Sequence, residues 1–237
     1  MAQPKNNQDS ADRSALLVGA TGLVGGELLK LLLHDPRYSR VHTAGRRAPA
    51  IKHPKLTAHV VDVANPRQLA ALPQVDDVYC ALGTTIKVAG SQAAFKAIDL
   101  EAVVAVAKAA RQVNKAVRLG VVSAMGADPK SSVFYNRIKG EMEAAITHLG
   151  YTSVSIARPS MLAGDRDSLK QASRPGEQIG LKLMAAVNFL IPANYKAIAA
   201  VDVAQGLHRM VTEGHAGARI AMSGELSELS ELASGAA

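Results

Sequence analysis

The chain has 237 residues, of which 48% are apolar and 20% are charged. This is ordinary globular composition, and the length suffices for one sizeable hydrophobic core, which excludes disorder over most of the chain. No apolar stretch approaches the roughly 20 residues of a membrane-spanning helix, and the polar start, residues 1–14, is unlike a secretory signal, so we expect no membrane partner. A single cysteine, Cys80, excludes an internal disulfide, and no histidine or cysteine spacing is typical of a metal site. We therefore expect no metal and a reducing, cytoplasmic location.

The charge balance is basic. Lysine and arginine number 27 against 20 acidic residues, which gives a net charge of +7 and favours anionic partners. There are only five tyrosines and three phenylalanines, and the basic residues are scattered, so stacking on nucleic-acid bases is poorly provided for. We expect a phosphate-bearing small molecule and no nucleic acid. On charge alone, a solvated surface that keeps the chain soluble explains the excess equally well.

Short apolar and β-branched runs alternate with longer segments of helical period along the chain. The strands are predicted at 15–18, 41–44, 57–61, 77–82, 117–122 and 153–157, with a late one at 219–222. One helix is predicted to follow the first strand and to end at Asp35-Pro36. Three more helices are predicted over 91–113, 132–149 and about 201–211. This alternation predicts an α/β fold, a doubly wound, mostly parallel sheet of Rossmann type with helices on both faces.

The regular alternation weakens after Pro159, which sets the expected domain organisation. We predict a single domain over 14–223, with a small substrate-covering lobe from about 160 to 200. Residues 1–13 and 224–237 are predicted to be flexible tails. The last tail has leucines at every third position, Leu226, Leu229 and Leu232, which also suits a short docking helix.

A glycine-rich segment joins the first predicted strand to the first helix. It reads Gly19-Ala20-Thr21-Gly22-Leu23-Val24-Gly25. The first glycine permits a tight turn, the second lets the backbone approach a pyrophosphate and the third lets the helix pack closely, while unpaired N–H groups face the anion. Such turns also occur without a ligand, but this position favours a dinucleotide site formed by Gly19, Thr21, Gly22, Leu23, Val24 and Gly25.

The end of the second predicted strand indicates which dinucleotide binds. Sites for NAD usually place an acidic residue there to hold the ribose 2′-hydroxyl, whereas this chain has Arg46 and Arg47. Paired guanidinium groups suit a 2′-phosphate, so NADP(H) is predicted over NAD(H). The alternative is two surface arginines with no specific role.

Two further strand ends are predicted to contact the cofactor. Asp62 and Val63 follow the third strand and are placed to reach the adenine. The residues after the fourth strand are predicted to run beneath the middle of the cofactor, and these are Ala81, Leu82, Gly83 and Thr84.

Three side chains around the fifth strand suit hydride transfer to a carbonyl. Tyr135 and Lys139 lie four residues apart on one helix and share a face, and Ser123 closes the preceding strand. The phenol supplies a proton to the developing oxyanion and the serine hydroxyl a second hydrogen bond. A nearby ammonium favours the phenolate, so we expect Lys139 to lower the pKa of Tyr135. Ser123, Tyr135 and Lys139 are the predicted catalytic residues, and the last two are also predicted to contact the cofactor.

Together these residues resemble the short-chain dehydrogenase/reductase superfamily, in its extended and atypical branch with the pattern Gly-x-x-Gly-x-x-Gly. The resemblance covers roughly residues 14–223. The chain resembles the Tat-interacting-protein-like group more closely still. The matching segments are CALGTT at 80–85, VSAMGA at 122–127, FYNRIKGE at 134–141 and ARP at 157–159.

The resemblance implies a Rossmann sheet, an NADP cofactor at Gly19–Gly25 and the same catalytic serine, tyrosine and lysine. It also implies that Pro159 lines the nicotinamide, and that two chains pair through the long helices as a homodimer. Many members carry an asparagine on the helix before the fifth strand, which completes a proton relay. The comparable stretch here contains Asp99, so either Asp99 replaces the asparagine or the relay differs.

Three functions remain open from the sequence. The first is an NADPH-dependent oxidoreductase that reduces a carbonyl on a small molecule, with Tyr135 as proton donor and Ser123 polarising the substrate oxygen. The second is an NADPH-responsive regulatory or protein-binding module without turnover. The third, an NAD-dependent sugar-nucleotide epimerase or dehydratase, usually has a larger C-terminal lobe than this chain provides.

Overall fold

The computed structural model describes residues 12–113, 118–163 and 192–234. In these ranges the strands are β1 (Arg13–Val18), β2 (Tyr38–Gly45), β3 (Leu56–Val60), β4 (Asp77–Cys80), β5 (Arg118–Val122), β6 (Ser153–Arg158), β7 (Leu162–Ala163), β8 (Ile198–Ala199) and β9 (Gly217–Met222). Seven of them form one parallel sheet in the order β3-β2-β1-β4-β5-β6-β9, and β7 pairs with β8 in a separate parallel ladder. The predicted strands coincide with β1–β6 and β9 to within a few residues.

Helices connect the strands. They are α1 (Leu23–His34), α2 (Pro66–Ala70), α3 (Ile86–Ala89), α4 (Gln92–Lys96), α5 (Val103–Val113), α6 (Phe134–Thr147), α7 (Ala200–Glu213) and α8 (Ser223–Ser234). The single helix predicted over 91–113 is instead α4 and α5 joined by a π-helical turn, Ala97–Ala102. Among the described ranges, no helix has the length and apolarity needed to cross a bilayer.

Two hydrophobic clusters cover the two faces of the sheet. Leu17 of β1 belongs to the cluster built with α1, α7 and α8, whereas Leu16 and Val18 belong to the cluster built with α2, α5 and α6. Because successive residues of a strand point to opposite faces, the clusters lie on opposite sides. The central strands are therefore buried on both faces, as parallel sheets require, and the doubly wound α/β prediction is confirmed.

The strand order places a crevice at one point of the sheet. From β1 the chain goes to β2 and β3 on one side and then returns to β4 on the other side of β1. Connections that leave a strand pair in opposite directions open a crevice at the carboxyl ends of those strands. In this chain that point is the end of β1 and β4, where Val18 pairs with Cys80.

The structure corrects the prediction of a C-terminal tail. Residues 223–234 form α8, in which Leu226 and Leu229 are buried while Leu232 is 58% exposed. The helix packs on α7 at Gly206, where an added Cβ would lie 2.9 Å from the Leu226 carbonyl oxygen. Residues three apart share a helical face, so this repeat serves docking rather than solvation.

The start of β1 also corrects the predicted N-terminal boundary. Arg13 starts β1 and makes an ion pair with the fully buried Asp77, so the N-terminal tail does not extend as far as 13. Of the predicted substrate-covering lobe, only 160–163 and 192–200 are among the described residues, and the rest of that prediction lies outside them.

Candidate functional site

The turn after β1 is built so tightly that two of its positions exclude a side chain. Gly19 has φ +90°, and a Cβ there would lie 2.5 Å from the Ala81 carbonyl oxygen. A Cβ on Gly25 would lie 2.0 Å from the Gly19 carbonyl oxygen. The turn is therefore pressed between α1 and the end of β4, which fixes the start of α1 above the crevice.

The start of α1 is free of the side chains that usually occupy a helix N-terminus. Gly22 is the cap residue, no side chain makes a capping hydrogen bond, and the first turn contains no acidic residue. The N–H of Gly26 donates to the Gly22 carbonyl at 2.8 Å, so the N–H groups of residues 23–25 precede the first helical hydrogen bond. Within the described part of the chain, these three donors at the positive end of a helix have no protein acceptor, which fits a pyrophosphate.

A cleft of about 680 Å³ opens beside this helix start. It gathers most of the side chains predicted for cofactor binding and catalysis, namely Gly22, Leu23, Val24, Ala81, Leu82, Gly83, Thr84, Ser123, Tyr135, Lys139 and Pro159. The sheet explains this convergence, because β1, β4, β5 and β6 are neighbours and all run in the same direction.

The remaining predicted residues lie around the cleft and do not line it. Gly19 and Thr21 belong to the turn before α1, and Gly25 lies in the first turn of α1. Arg46 and Arg47 follow β2 and are exposed.

Asp62 and Val63 follow β3, and the Asp62 carboxylate accepts a hydrogen bond from the Ala64 N–H at 3.0 Å. This carboxylate therefore already takes part in the turn that leads to α2.

Tyr135 is held by an aromatic contact. It lies in the first turn of α6 and is half-buried, and its ring centroid is 5.2 Å from that of the fully buried Phe95 on α4. Phe95 therefore restricts the orientation of the phenol at the cleft wall.

Lys139 is one turn further along α6, and its charge is already paired. Its Nζ lies 2.6 Å from Oδ1 of Asp99, and both side chains are almost inaccessible to solvent. The second oxygen of Asp99 accepts a hydrogen bond from the Thr84 N–H at 3.0 Å. Asp99 comes from the π-helical turn between α4 and α5, a distortion that is frequent at functional sites.

This pairing overturns the expected effect of Lys139 on Tyr135. The pKa of Tyr135 is raised, because burial disfavours the phenolate, and the lowering by the Lys139 ammonium is opposed by the Asp99 carboxylate. The prediction of a lowered pKa was wrong, because neither the burial of the phenol nor the carboxylate beside the ammonium is visible in the sequence. The phenol is therefore in its proton-donating form at neutral pH.

Ser123 also has an unexpected partner. Its hydroxyl donates a hydrogen bond to Oε1 of Glu143 on α6, and both residues are buried. Arg158 at the end of β6 donates from Nε to Oε1 at 3.0 Å and from Nη2 to Oε2 at 2.5 Å. The expected donation from Ser123 to a substrate oxygen is therefore not what the structure shows, because the serine proton is directed at Glu143.

Glu143 and Arg158 were not among the predicted site residues. Glu143 follows Tyr135 and Lys139 at the same four-residue spacing, so all three share one helical face, and this regular spacing was the available signal. Arg158 directly precedes Pro159, which the family resemblance had already placed beside the cofactor. No group of three or more potential metal ligands occurs among the described residues.

Comparisons with known proteins identify the family. A family model described as NAD(P)H-binding matches residues 19–186. Protein fmp52, mitochondrial, of Emericella nidulans is 35% identical over 170 residues, which cover 69% of this chain and 71% of that protein. Protein HTATIP2 of Rattus norvegicus is 31% identical over 207 residues, which cover 86% of this chain and 83% of that protein.

The names of these relatives overturn the expected location. Several similar proteins, including the one from Emericella nidulans, are named mitochondrial, which contradicts the cytoplasmic prediction. The lone, buried Cys80 excludes internal disulfides but cannot distinguish one reducing compartment from another.

A solved structure supports the fold. The ligand-free aldohexose dehydrogenase (AldT) of Thermoplasma acidophilum matches with a TM-score of 0.68 at 15% identity, over 92% of this chain and 94% of that one. At this identity the match shows a shared architecture only. With the family model and the curated relatives, it leads to one conclusion: the chain belongs to the NAD(P)H-binding family of Rossmann-fold, oxidoreductase-like proteins and is a homologue of HTATIP2.

Proposed function

We propose that the protein is an NADP(H)-dependent oxidoreductase that reduces a carbonyl group on a small molecule, with Tyr135 as the proton donor. One observation carries the proposal. A single cleft joins the open start of α1, which suits a pyrophosphate, to a protonated phenol on α6. A module that only senses the dinucleotide needs the first feature and has no use for the second.

Each residue of the cleft has a distinct task in this proposal. The N–H groups at the start of α1 bind the pyrophosphate, and the strand ends at Ala81–Thr84 and Pro159 form the floor beneath the rest of the cofactor. A bound reduced nicotinamide supplies hydride to the substrate carbon. Tyr135 gives its proton to the oxygen of that carbonyl as negative charge develops there. Lys139 offsets the Asp99 carboxylate that would otherwise face the phenol alone.

The choice of NADP(H) over NAD(H) rests on Arg46 and Arg47. In the double variant Arg46→Ala/Arg47→Ala, the dissociation constant for NADPH is expected to rise about tenfold to hundredfold, because charge-assisted hydrogen bonds to a phosphate contribute about 1.5–3 kcal/mol. The dissociation constant for NADH is expected to stay unchanged. Isothermal titration with both dinucleotides measures this.

Arg40→Ala provides the matched control, since Arg40 is an exposed arginine near the other end of β2. NADH binding to the natural chain as tightly as NADPH would refute the assignment of the two arginines.

The raised pKa of Tyr135 fixes the sign of a pH effect. The donor is the protonated phenol, so the reduction rate is expected to persist through neutral pH and to fall only as pH rises past the raised pKa. In Asp99→Asn the ammonium of Lys139 acts unopposed, the pKa of Tyr135 falls, and the loss of rate begins at lower pH. The pH profile of kcat measures this, with Asp202→Asn on α7 as the control. A high-pH decline of kcat that shifts to higher pH in Asp99→Asn contradicts the prediction.

The basic test of the proposal is NADPH consumption. Purified protein is mixed with NADPH and a panel of aldehydes and ketones, and oxidation is followed at the nicotinamide absorbance. Turnover with at least one carbonyl compound is the expected result. NADPH binding without oxidation across the panel would favour the regulatory module instead.

A further inference from the structure

We propose that the substrate is an uncharged hydroxycarbonyl compound whose hydroxyl, next to the reacting carbonyl, donates a hydrogen bond to Ser123, and that Glu143 determines this preference. The inference rests on the proposed function, whose cleft it describes. It assigns Ser123 the opposite hydrogen-bonding role from the one expected from the sequence.

The first step is the charge state of Glu143. Both of its oxygens face the guanidinium of Arg158, with Nε at 3.0 Å from Oε1 and Nη2 at 2.5 Å from Oε2. This two-point contact is the geometry of an arginine with an ionised carboxylate. An ionised carboxylate accepts hydrogen bonds and donates none.

The second step is the direction of the Ser123 proton. A serine hydroxyl has one proton and two lone pairs, and here the proton points to Glu143. Ser123 and Glu143 are each only 5% exposed, so bulk water does not compete for the contact. What Ser123 presents to the cleft is therefore an acceptor oxygen.

The third step is the pattern that this creates in the cleft. Tyr135 offers a donor and Ser123 offers an acceptor in the same cavity. The oxygen of a simple ketone only accepts hydrogen bonds, so it suits Tyr135 and leaves the acceptor lone pairs of Ser123 without a donor, which costs free energy in a buried site. A carbonyl with a hydroxyl on the adjacent carbon satisfies both groups.

The fourth step concerns charge. Among the described residues that line the cleft, the charged side chains are Asp99 and Lys139, and these neutralise each other. Apolar side chains form much of the outer wall, including Val88 and Met161, which are 79% and 62% exposed. This lining favours an uncharged substrate with an apolar body.

Two ketones of nearly equal shape test the inference. In 2-hydroxyacetophenone a hydroxyl occupies the place that a methyl group occupies in propiophenone. The natural chain with NADPH is expected to show a kcat/KM at least about tenfold higher for 2-hydroxyacetophenone, the effect of one hydrogen bond to a buried acceptor.

Glu143→Gln is expected to reverse this preference. The amide oxygen accepts from Arg158 while the amide NH₂ donates to Ser123, so the serine proton turns into the cleft. We expect kcat/KM to fall for 2-hydroxyacetophenone and to rise for propiophenone. Lost packing alone would lower both values together. Glu141→Gln, the same change two residues away on α6, is the control and should leave the ratio as in the natural chain.

The outcomes separate this inference from the proposed function. Turnover of both ketones without preference, or a Glu143→Gln variant that lowers both values equally, overturns the inference and leaves the oxidoreductase standing. NADPH oxidation with neither ketone nor any other carbonyl overturns both. If Glu143→Gln fails to fold, Ser123→Ala replaces it: a greater loss for 2-hydroxyacetophenone than for propiophenone supports the inference, and equal losses refute it.

Discussion

Replacing Tyr135 with Phe is expected to lower the rate of NADPH-dependent reduction by about 10²–10⁴-fold, the usual contribution of a positioned general acid. The change removes one hydroxyl group and keeps the ring that packs on Phe95, so the fold and the cofactor cradle stay intact. The dissociation constant for NADPH is therefore expected to remain close to that of the natural chain. Steady-state kinetics and isothermal titration on the same preparation measure both quantities.

Tyr151→Phe is the matched control for this variant. Tyr151 is buried and its hydroxyl donates to the Ala107 carbonyl at 2.6 Å, outside the residues that line the cleft. The Tyr151→Phe variant also loses one phenolic oxygen and should keep the turnover of the natural chain. An unchanged reduction rate in Tyr135→Phe would show that the Tyr135 phenol is not the proton donor.

The second large effect is expected from Lys139→Met. Loss of the ammonium leaves the Asp99 carboxylate buried without its partner, which typically costs about 3–5 kcal/mol of unfolding free energy. The unopposed carboxylate also faces the developing negative charge on the substrate, so we expect turnover to fall about 10²–10³-fold. Urea unfolding and NADPH oxidation measure the two effects.

A double variant separates stability from chemistry. Asp99→Asn/Lys139→Met leaves no unpaired charge at this position, so most of the lost stability should return while turnover stays low. Lys130→Met, at an exposed lysine, serves as control. A single Lys139→Met variant as stable as the natural chain would show that the ion pair with Asp99 does not form.

The sheet was predictable because its signals are local. Each of β1, β4 and β6 is a short segment with apolar residues at its centre, and burial on both faces of a parallel sheet favours such segments. The glycine turn was predictable for the same reason, since the conformations of Gly19 and the start of α1 depend on neighbours within a few residues. The close approach of Gly19 to the Ala81 backbone adds a constraint that the sequence does not show.

What the sequence could not predict depends on contacts between distant segments. Asp99 and Lys139 are far apart in the chain and meet only because a π-helical turn packs against α6. Burial raises the pKa of Tyr135, and the Asp99 carboxylate beside Lys139 opposes the lowering by the ammonium, contrary to the expectation from Lys139 alone. Glu143 likewise redirects the Ser123 proton only once β5, α6 and β6 have assembled.

The C-terminal helix shows a different limit. The leucines of 226–232 have a helical repeat, but the repeat alone does not show whether another surface is present to cover them. Gly206 provides that surface by letting α8 approach α7 closely. The packing of this segment therefore depends on a residue of another helix, which the leucine repeat does not reveal.

The central claim is that one cleft holds the pyrophosphate at the start of α1 and, at its other end, brings the Tyr135 phenol to the reacting carbon. A crystal structure of the chain with NADPH tests it most directly. We expect the pyrophosphate on the N–H groups of residues 23–25 and the Tyr135 hydroxyl beside C4 of the nicotinamide, with room between them for a carbonyl oxygen. A dinucleotide bound with its nicotinamide directed away from Tyr135 would contradict the account.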